Sequence, residues 1–186
     1  MLATVPPNIL ASKLHAPQLA PSQLERALVA RCMDVGANVR LVIVRAPAGF
    51  GKTTVMLQHA RRLQAAGLAH GWLNLDDADN DLARFLAHLE MAVARAAPAA
   101  DGPGAGGALG LIERIAASPC SFTLFLDDFE CLRSSSVLDF IGQVLEHAPR
   151  GWQLVIGSRV APGLGLGRSR ALGHVREIDM EMLRFS

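Results

Sequence analysis

The sequence has few cysteines, almost no net charge and no long apolar run, and each shortage argues against a class of protein. Its three cysteines, Cys32, Cys120 and Cys131, are odd in number, far apart and without Cys-x-x-Cys spacing. That pattern argues against a disulfide framework and against a zinc site, and leaves reduced thiols. The 18 basic and 17 acidic residues leave +1 at neutral pH, so no global field draws the chain to nucleic acid or to an anionic membrane. No apolar stretch approaches the roughly 20 residues of a membrane span. The N-terminus also lacks the basic region, apolar stretch and cleavage site of a secretory signal, so the cytoplasm is the expected location. What is present is 186 residues, 51% of them hydrophobic, enough for one sizeable α/β domain that needs no staple to fold.

The most informative stretch runs from Val39 to Thr54. A β-branched apolar run, Leu41-Val42-Ile43-Val44, stops at Ala46-Pro47, and Ala48-Gly49-Phe50-Gly51-Lys52-Thr53-Thr54 then leads into a helix-compatible sequence. This is the strand, loop and helix start of a P-loop. Gly49 and Gly51 let the backbone turn its N–H groups inward, Lys52 reaches β- and γ-phosphates, and Thr53 offers a hydroxyl to Mg²⁺. The helix that follows points its partially positive end at the same phosphates. The strict pattern asks for glycine where this chain has Ala46. Pro47 holds the preceding residue in the extended region at negative φ, where alanine carries no penalty.

Before this loop, Pro6, Pro7, Pro17 and Pro21 keep residues 1–21 from forming a continuous helix, and an amphipathic helix is expected from Ser22 through Cys32. Lys13-Leu14-His15-Ala16-Pro17 suits the border of a nucleotide base held in the loop, and equally an ordinary linker. After the loop, Val55, Met56, His59, Ala60 and Leu63 continue an apolar helical face that stops at Gly67. A strand is expected at Gly71–Leu75. The next six residues, Asp76 to Asp81, hold four aspartates but lack the glycine and terminal glutamate of an EF-hand loop. They read as a turn, one acid capping a helix from about Leu82 to Ala96, with His88 packed or on its surface. Residues 97–110 are small and glycine-rich and read as a loop. A short helix from Leu109 to Ser118 follows.

The second motif is Phe122-Thr-Leu-Phe-Leu-Asp127-Asp128. A near-continuous apolar run suits a strand buried on both faces, which delivers its carboxylates to the ligand-binding edge of a parallel sheet. In this Walker B pattern Asp127 holds the Mg²⁺ shell and Asp128 orients or deprotonates the attacking water, with Glu130 a weaker candidate for that role. Ser136-Val-Leu-Asp139 has capping-box spacing at the start of a further helix. A strand at Trp152–Gly157 delivers Ser158 and Arg159 to the same edge, where an arginine fork suits the γ-phosphate oxygens. Arg168 and Arg170 lie in a glycine-bearing segment, and a last strand covers His174 to Met180, with no terminal helix expected after it.

Together these residues resemble the ATPase domain of the MalT-like, LuxR-type transcriptional regulators, signal-transducing P-loop NTPases of the STAND class. The resemblance rests on Lys13-Leu14 with Pro17, Ala46 through Thr54, Trp72-Leu-Asn-Leu-Asp76 through Asp79-Asn-Asp81 to Arg84-Phe85, Leu126-Asp-Asp128, Ser158-Arg159, and Leu183-Arg-Phe-Ser186. In that family the loop usually begins with alanine, as here, whereas Glu130 stands where a histidine is usual. The resemblance implies a three-layer α/β fold, AAA-like, with a five-stranded parallel sheet in the order 5-1-4-3-2. Residues 1–38 would be an N-terminal extended segment and first helix, and 39–186 the NTPase core. It further implies an ATP/ADP switch that uses Mg²⁺, hydrolyses slowly and self-associates in its ATP state. An inducer and DNA would be met through modules of a longer protein, including a C-terminal helix-turn-helix. A P-loop kinase that transfers phosphate to a small acceptor is the alternative.

Overall fold

The computed structural model describes residues 10–17, 33, 36, 38–97 and 107–183 of the chain. Five strands form one parallel sheet: β1 (Leu41–Arg45), β2 (Ala69–Asn74), β3 (Phe122–Asp127), β4 (Gln153–Ser158) and β5 (Val175–Ile178). Their order is β2-β3-β4-β1-β5, which is the expected 5-1-4-3-2 read from the other edge. The central strands read as near-continuous apolar runs because both sheet faces are covered. Successive side chains alternate between the faces, so Leu41 and Ile43 of β1 enter one core while Val42 and Val44 enter the other.

On the second face lies α1 (Lys52–Ala65), the helix that follows the loop, burying Val55, Met56, Leu57 and Ala60. Its core also takes Phe125, which stacks on Trp72 with ring centroids 5.2 Å apart. Complete burial of such a ring contributes about 2–3 kcal/mol. At the end of α1, Gly67 adopts φ 70°, and the N–H groups of Gly67 and Leu68 bond back to Gln64 and Leu63 at 3.1 and 2.8 Å, a Schellman closure.

The first face carries α2 (Leu82–Ala96), α3 (Ala108–Ala116) and α4 (Ser135–His147). Helix α2 packs so tightly on β2 that a Cβ at Gly71 would sit 2.6 Å from the Ala92 carbonyl oxygen. Asp81 caps this helix by accepting from the Arg84 N–H at 2.8 Å, as the aspartate-rich turn implied. Two short helices, α5 (Gly167–Ala171) and α6 (Met180–Leu183), flank β5.

The structure departs from the sequence reading in local detail. Strand β2 begins two residues early, at Ala69, and a helical turn occupies 180–183 where no terminal helix was expected. The capping box at Ser136 does not form. Helix α4 begins at Ser135 without a side-chain cap, and the Ser134 and Ser136 hydroxyls contact each other at 2.9 Å instead. The expected helix from Ser22 to Cys32, most of the glycine-rich stretch and Arg184–Ser186 lie outside the described residues.

Candidate functional site

At the C-terminal end of β1 the chain enters a tight loop. Ala46 is buried, and its N–H donates to the Ser158 carbonyl at 3.2 Å, tying the loop to the neighbouring strand. Its backbone stays at negative φ, since Asp128 is the one non-glycine with positive φ among the described residues. Gly49 and Gly51 have φ of 82° and 81°, left-handed values that cost another residue about 1 kcal/mol or more. Gly51 is also the N-cap of α1, with no side-chain hydrogen bond to the cap and no acidic residue in the first turn. The positive end of the helix is thus left open to an anion. Lys52 is buried and folds back over the loop, donating to the carbonyls of Ala46 at 2.9 Å and Pro47 at 3.2 Å.

The strand order brings the second motif to the same rim. Thr53 Oγ1 donates to Asp127 Oδ2 at 2.6 Å, joining residues 74 positions apart in the chain. Asp127 is buried, and its pKa is raised above the ordinary aspartate value. Desolvation is the main cause. The Thr53 bond opposes it, the Asp128 charge adds to it, and the Asp128 N–H and Lys52 ammonium lower it in part. Asp128 follows in the left-handed region at φ 56°, which turns the chain sharply off the strand and leaves its side chain exposed at the rim. Ala48, Phe50 and Thr54 belong to the same loop and helix start, with Phe50 packed against the α1 core.

Arg159 leaves β4 beside the loop. Its Nε lies 2.7 Å from Glu130 Oε1, and its backbone N–H donates to Glu130 Oε2 at 3.1 Å. An open groove of about 520 Å³ runs between the loop and the end of β5, lined among others by Arg45, Pro47, Arg159, Val160 and Met180. Arg170 is turned elsewhere and pairs with Glu177 of β5 at 2.8 Å.

Lys13 and Leu14 are not brought to the loop. They form a 3-10 turn, Ala11–Leu14, whose chain is held at the end of β2 by Asn74 Nδ2, which donates to the Lys13 carbonyl at 3.3 Å and the His15 carbonyl at 3.0 Å. Strands β3 and β4 separate β2 from β1, so this turn stands about 14 Å to the side of the loop strand. The Lys13 ammonium is buried and donates to Asp79 Oδ2, with Asp76 at 2.8 Å. Asp79 in turn meets His88 Nδ1 at 2.9 Å, both fully buried. In sequence the aspartates read only as a turn, not as this knot. The signal available was a lysine near the start of the chain and a histidine nine residues after Asp79 on an inward helical face.

Asn80 was likewise unforeseen. Its amide nitrogen donates to the Cys131 carbonyl at 2.8 Å, and its oxygen accepts from the N–H groups of Arg133 at 2.6 Å and Ser134 at 2.8 Å. It stitches the turn after β2 to the turn after β3.

No family model matches the chain. It is 29% identical over 195 residues to the serine/threonine-protein kinase PknK of Mycobacterium tuberculosis, covering 98% of this chain and 18% of that protein. It is 27% identical over 198 residues to the HTH-type transcriptional regulator MalT of Yersinia pestis, covering 96% of this chain and 21% of that protein. The chain therefore spans about a fifth of the length of these relatives. Among solved structures, Cdc6p of Pyrobaculum aerophilum matches 87% of the chain with TM-score 0.55 and 17% identity, covering 48% of that chain. The STAND protein PH0952 of Pyrococcus horikoshii, which carries a tetratricopeptide repeat sensor, matches 89% with TM-score 0.50 and 16% identity, covering 24% of that chain. One relative bears the name of a kinase and the other of a transcriptional regulator, and each matches nearly the whole of this chain.

Proposed function

We propose that the chain is a STAND-type P-loop NTPase domain akin to that of MalT-like regulators, which binds ATP with Mg²⁺, hydrolyses it slowly and acts as a nucleotide-controlled switch. The observation that carries this reading is the 2.6 Å contact between Thr53 and Asp127 on the rim that also holds Lys52. A hydroxyl and a carboxylate facing each other are hard oxygen donors of the kind Mg²⁺ takes in phosphate sites, so the residues fit the ion. Bound there, Mg²⁺ neutralises phosphate charge.

Each residue then has a role in the switch. The loop from Ala48 to Thr54 offers backbone N–H groups to the phosphates, and Lys52 exchanges its two carbonyl partners for β- and γ-phosphate oxygens. Thr53 and Asp127 hold the ion. Asp128 orients the attacking water, and Arg159 reaches the γ-phosphate. ATP and ADP differ at that phosphate alone, so contacts to it are what would bias two states of a larger regulator. In such a regulator the ATP state would favour self-association, an inducer would act through another module, and DNA would be met by a separate helix-turn-helix. ATP supply sets this function in the cytoplasm. The described residues include no helix long and apolar enough to cross a membrane.

For the phosphotransfer alternative, which needs basic residues around an acceptor, Arg170 offers little, since it pairs with Glu177 of β5. Titration calorimetry with ATP and Mg²⁺ tests the reading. Saturable binding that Lys52→Ala removes supports it, and binding unaffected by that substitution overturns it.

A further inference from the structure

Beyond the residues that would touch nucleotide, we infer that Glu130 weakens the preference of the site for ATP over ADP by competing with the γ-phosphate for Arg159. The inference rests on the nucleotide-binding reading above.

The geometry separates a fixed acid from a free base. Both carboxylate oxygens of Glu130 face one residue: Oε2 accepts the Arg159 backbone N–H at 3.1 Å, and Oε1 lies 2.7 Å from the guanidinium Nε. The first bond is to main chain at the end of β4 and does not depend on where the arginine side chain points. Glu130 is also largely sheltered, its side chain 16% exposed, whereas that of Arg159 is 56% exposed. The guanidinium can therefore swing away while the carboxylate stays. Among the described residues Glu130 is the sole ion-pair partner of Arg159.

The position of the pair fixes what it competes with. Ser158, the residue before Arg159, accepts the Ala46 N–H at the start of the phosphate loop, and Glu130 lies three residues after Asp127. A dianionic γ-phosphate brought between these elements attracts the same guanidinium, whose fork suits phosphate oxygens as well as a carboxylate. Binding of ATP then requires the Nε–Oε1 bond to break, whereas ADP leaves it intact. The resting clasp lowers ATP affinity and leaves ADP affinity alone.

Calorimetric titration of ATP and ADP with Mg²⁺ tests this in four proteins: the unaltered chain, Glu130→Gln, Arg159→Ala and the double variant. Glu130→Gln keeps an oxygen for the backbone N–H and removes the charge, so the local turn is preserved. It should tighten ATP about fivefold, the equivalent of an exposed ion pair released, with ADP unchanged. In the Arg159→Ala background the same substitution should change nothing. An equal effect on both nucleotides, weaker ATP binding in Glu130→Gln, or an effect that survives without Arg159 would each overturn the inference. Failure of the unaltered chain to bind either nucleotide would sink the proposed function itself, which separates the two results. Thermal melting checks that all four proteins are folded.

Discussion

Gly157 leaves room for Asp127 to face Thr53. A Cβ built on this β4 residue would stand 2.6 Å from Asp127 Oδ1 and 2.7 Å from Met56 Sδ, so even one methyl group displaces the carboxylate or the methionine beneath it. Both obstacles are side-chain ends that can move, and the fold itself survives. Gly157→Ala should cost about 1 kcal/mol of stability. It should weaken ATP binding about tenfold in the presence of Mg²⁺ and leave Mg²⁺-free binding in EDTA little changed. An equal loss with and without the ion would show that the glycine serves the loop rather than the metal side.

The same carboxylate sets stability against function. Burial raises the Asp127 pKa, so the folded chain holds this proton more firmly than the unfolded chain does. Its contribution is therefore fully present below the ordinary aspartate range and is lost as pH rises through the folded value. At neutral pH the ionised group is a cost. Asp127→Asn keeps an oxygen for Thr53 and removes the charge, and without nucleotide or ion it should melt about 3 °C higher at pH 7. The gain should shrink as the pH approaches the usual carboxylate range. Added Mg²⁺ and ATP should stabilise the unaltered chain more than the variant, which keeps only the phosphate contacts that do not need the ion. A lower melting temperature for Asp127→Asn in EDTA would contradict the sign of this argument.

The sheet and the rim were legible in the sequence because they are written locally. Continuous or nearly continuous apolar runs such as Leu41–Val44 and Phe122–Leu126 announce strands covered on both faces, and the glycine spacing before Lys52 announces the turn that follows. Strand order followed from the family resemblance, since no run of residues states its neighbour in space. Pairings across long separations left no local trace. Glu130 and Arg159 are 29 residues apart, and Lys13 and Asp79 are 66. In sequence Lys13, Glu130 and Arg159 point toward a nucleotide and Asp79 toward a turn, and only the closed fold pairs them with one another. Ser136 failed in the opposite sense. Its spacing matched a cap, but a neighbouring hydroxyl took the side chain.

Asn80 links two turns that each follow a strand, and its amide is bonded on both sides. Aspartate is nearly the same shape and keeps the acceptor for Arg133 and Ser134, but it cannot donate to the carbonyls of Cys131 and Asp77. Asn80→Asp should therefore cost about 1–2 kcal/mol, and Asn80→Ala, which loses both sides, about 2–3 kcal/mol. Urea unfolding with an unchanged m-value would report these as shifts in midpoint. Equal losses for the two variants would mean that the donating side carries all of the stitch.

Lys13 distinguishes a structural role from a nucleotide-binding one. Its ammonium and the Asp79 carboxylate are both removed from water, and Asp79 also faces His88 Nδ1 and the Asp76 N–H at 2.9 Å each. Removing only the cation leaves a buried carboxylate without its closest counter-charge, a loss of about 3 kcal/mol or more. Lys13→Met should therefore lower the urea midpoint markedly, and adding Asp79→Asn should recover part of that loss because the stranded charge is gone. A double-mutant cycle on the two sites measures the coupling directly, and it should exceed 1 kcal/mol. If Lys13 instead bordered a nucleotide base, Lys13→Met would weaken ATP and ADP alike while the unfolding midpoint stayed in place. The turn's position beside β2, with two strands between it and the loop strand, argues for the first outcome.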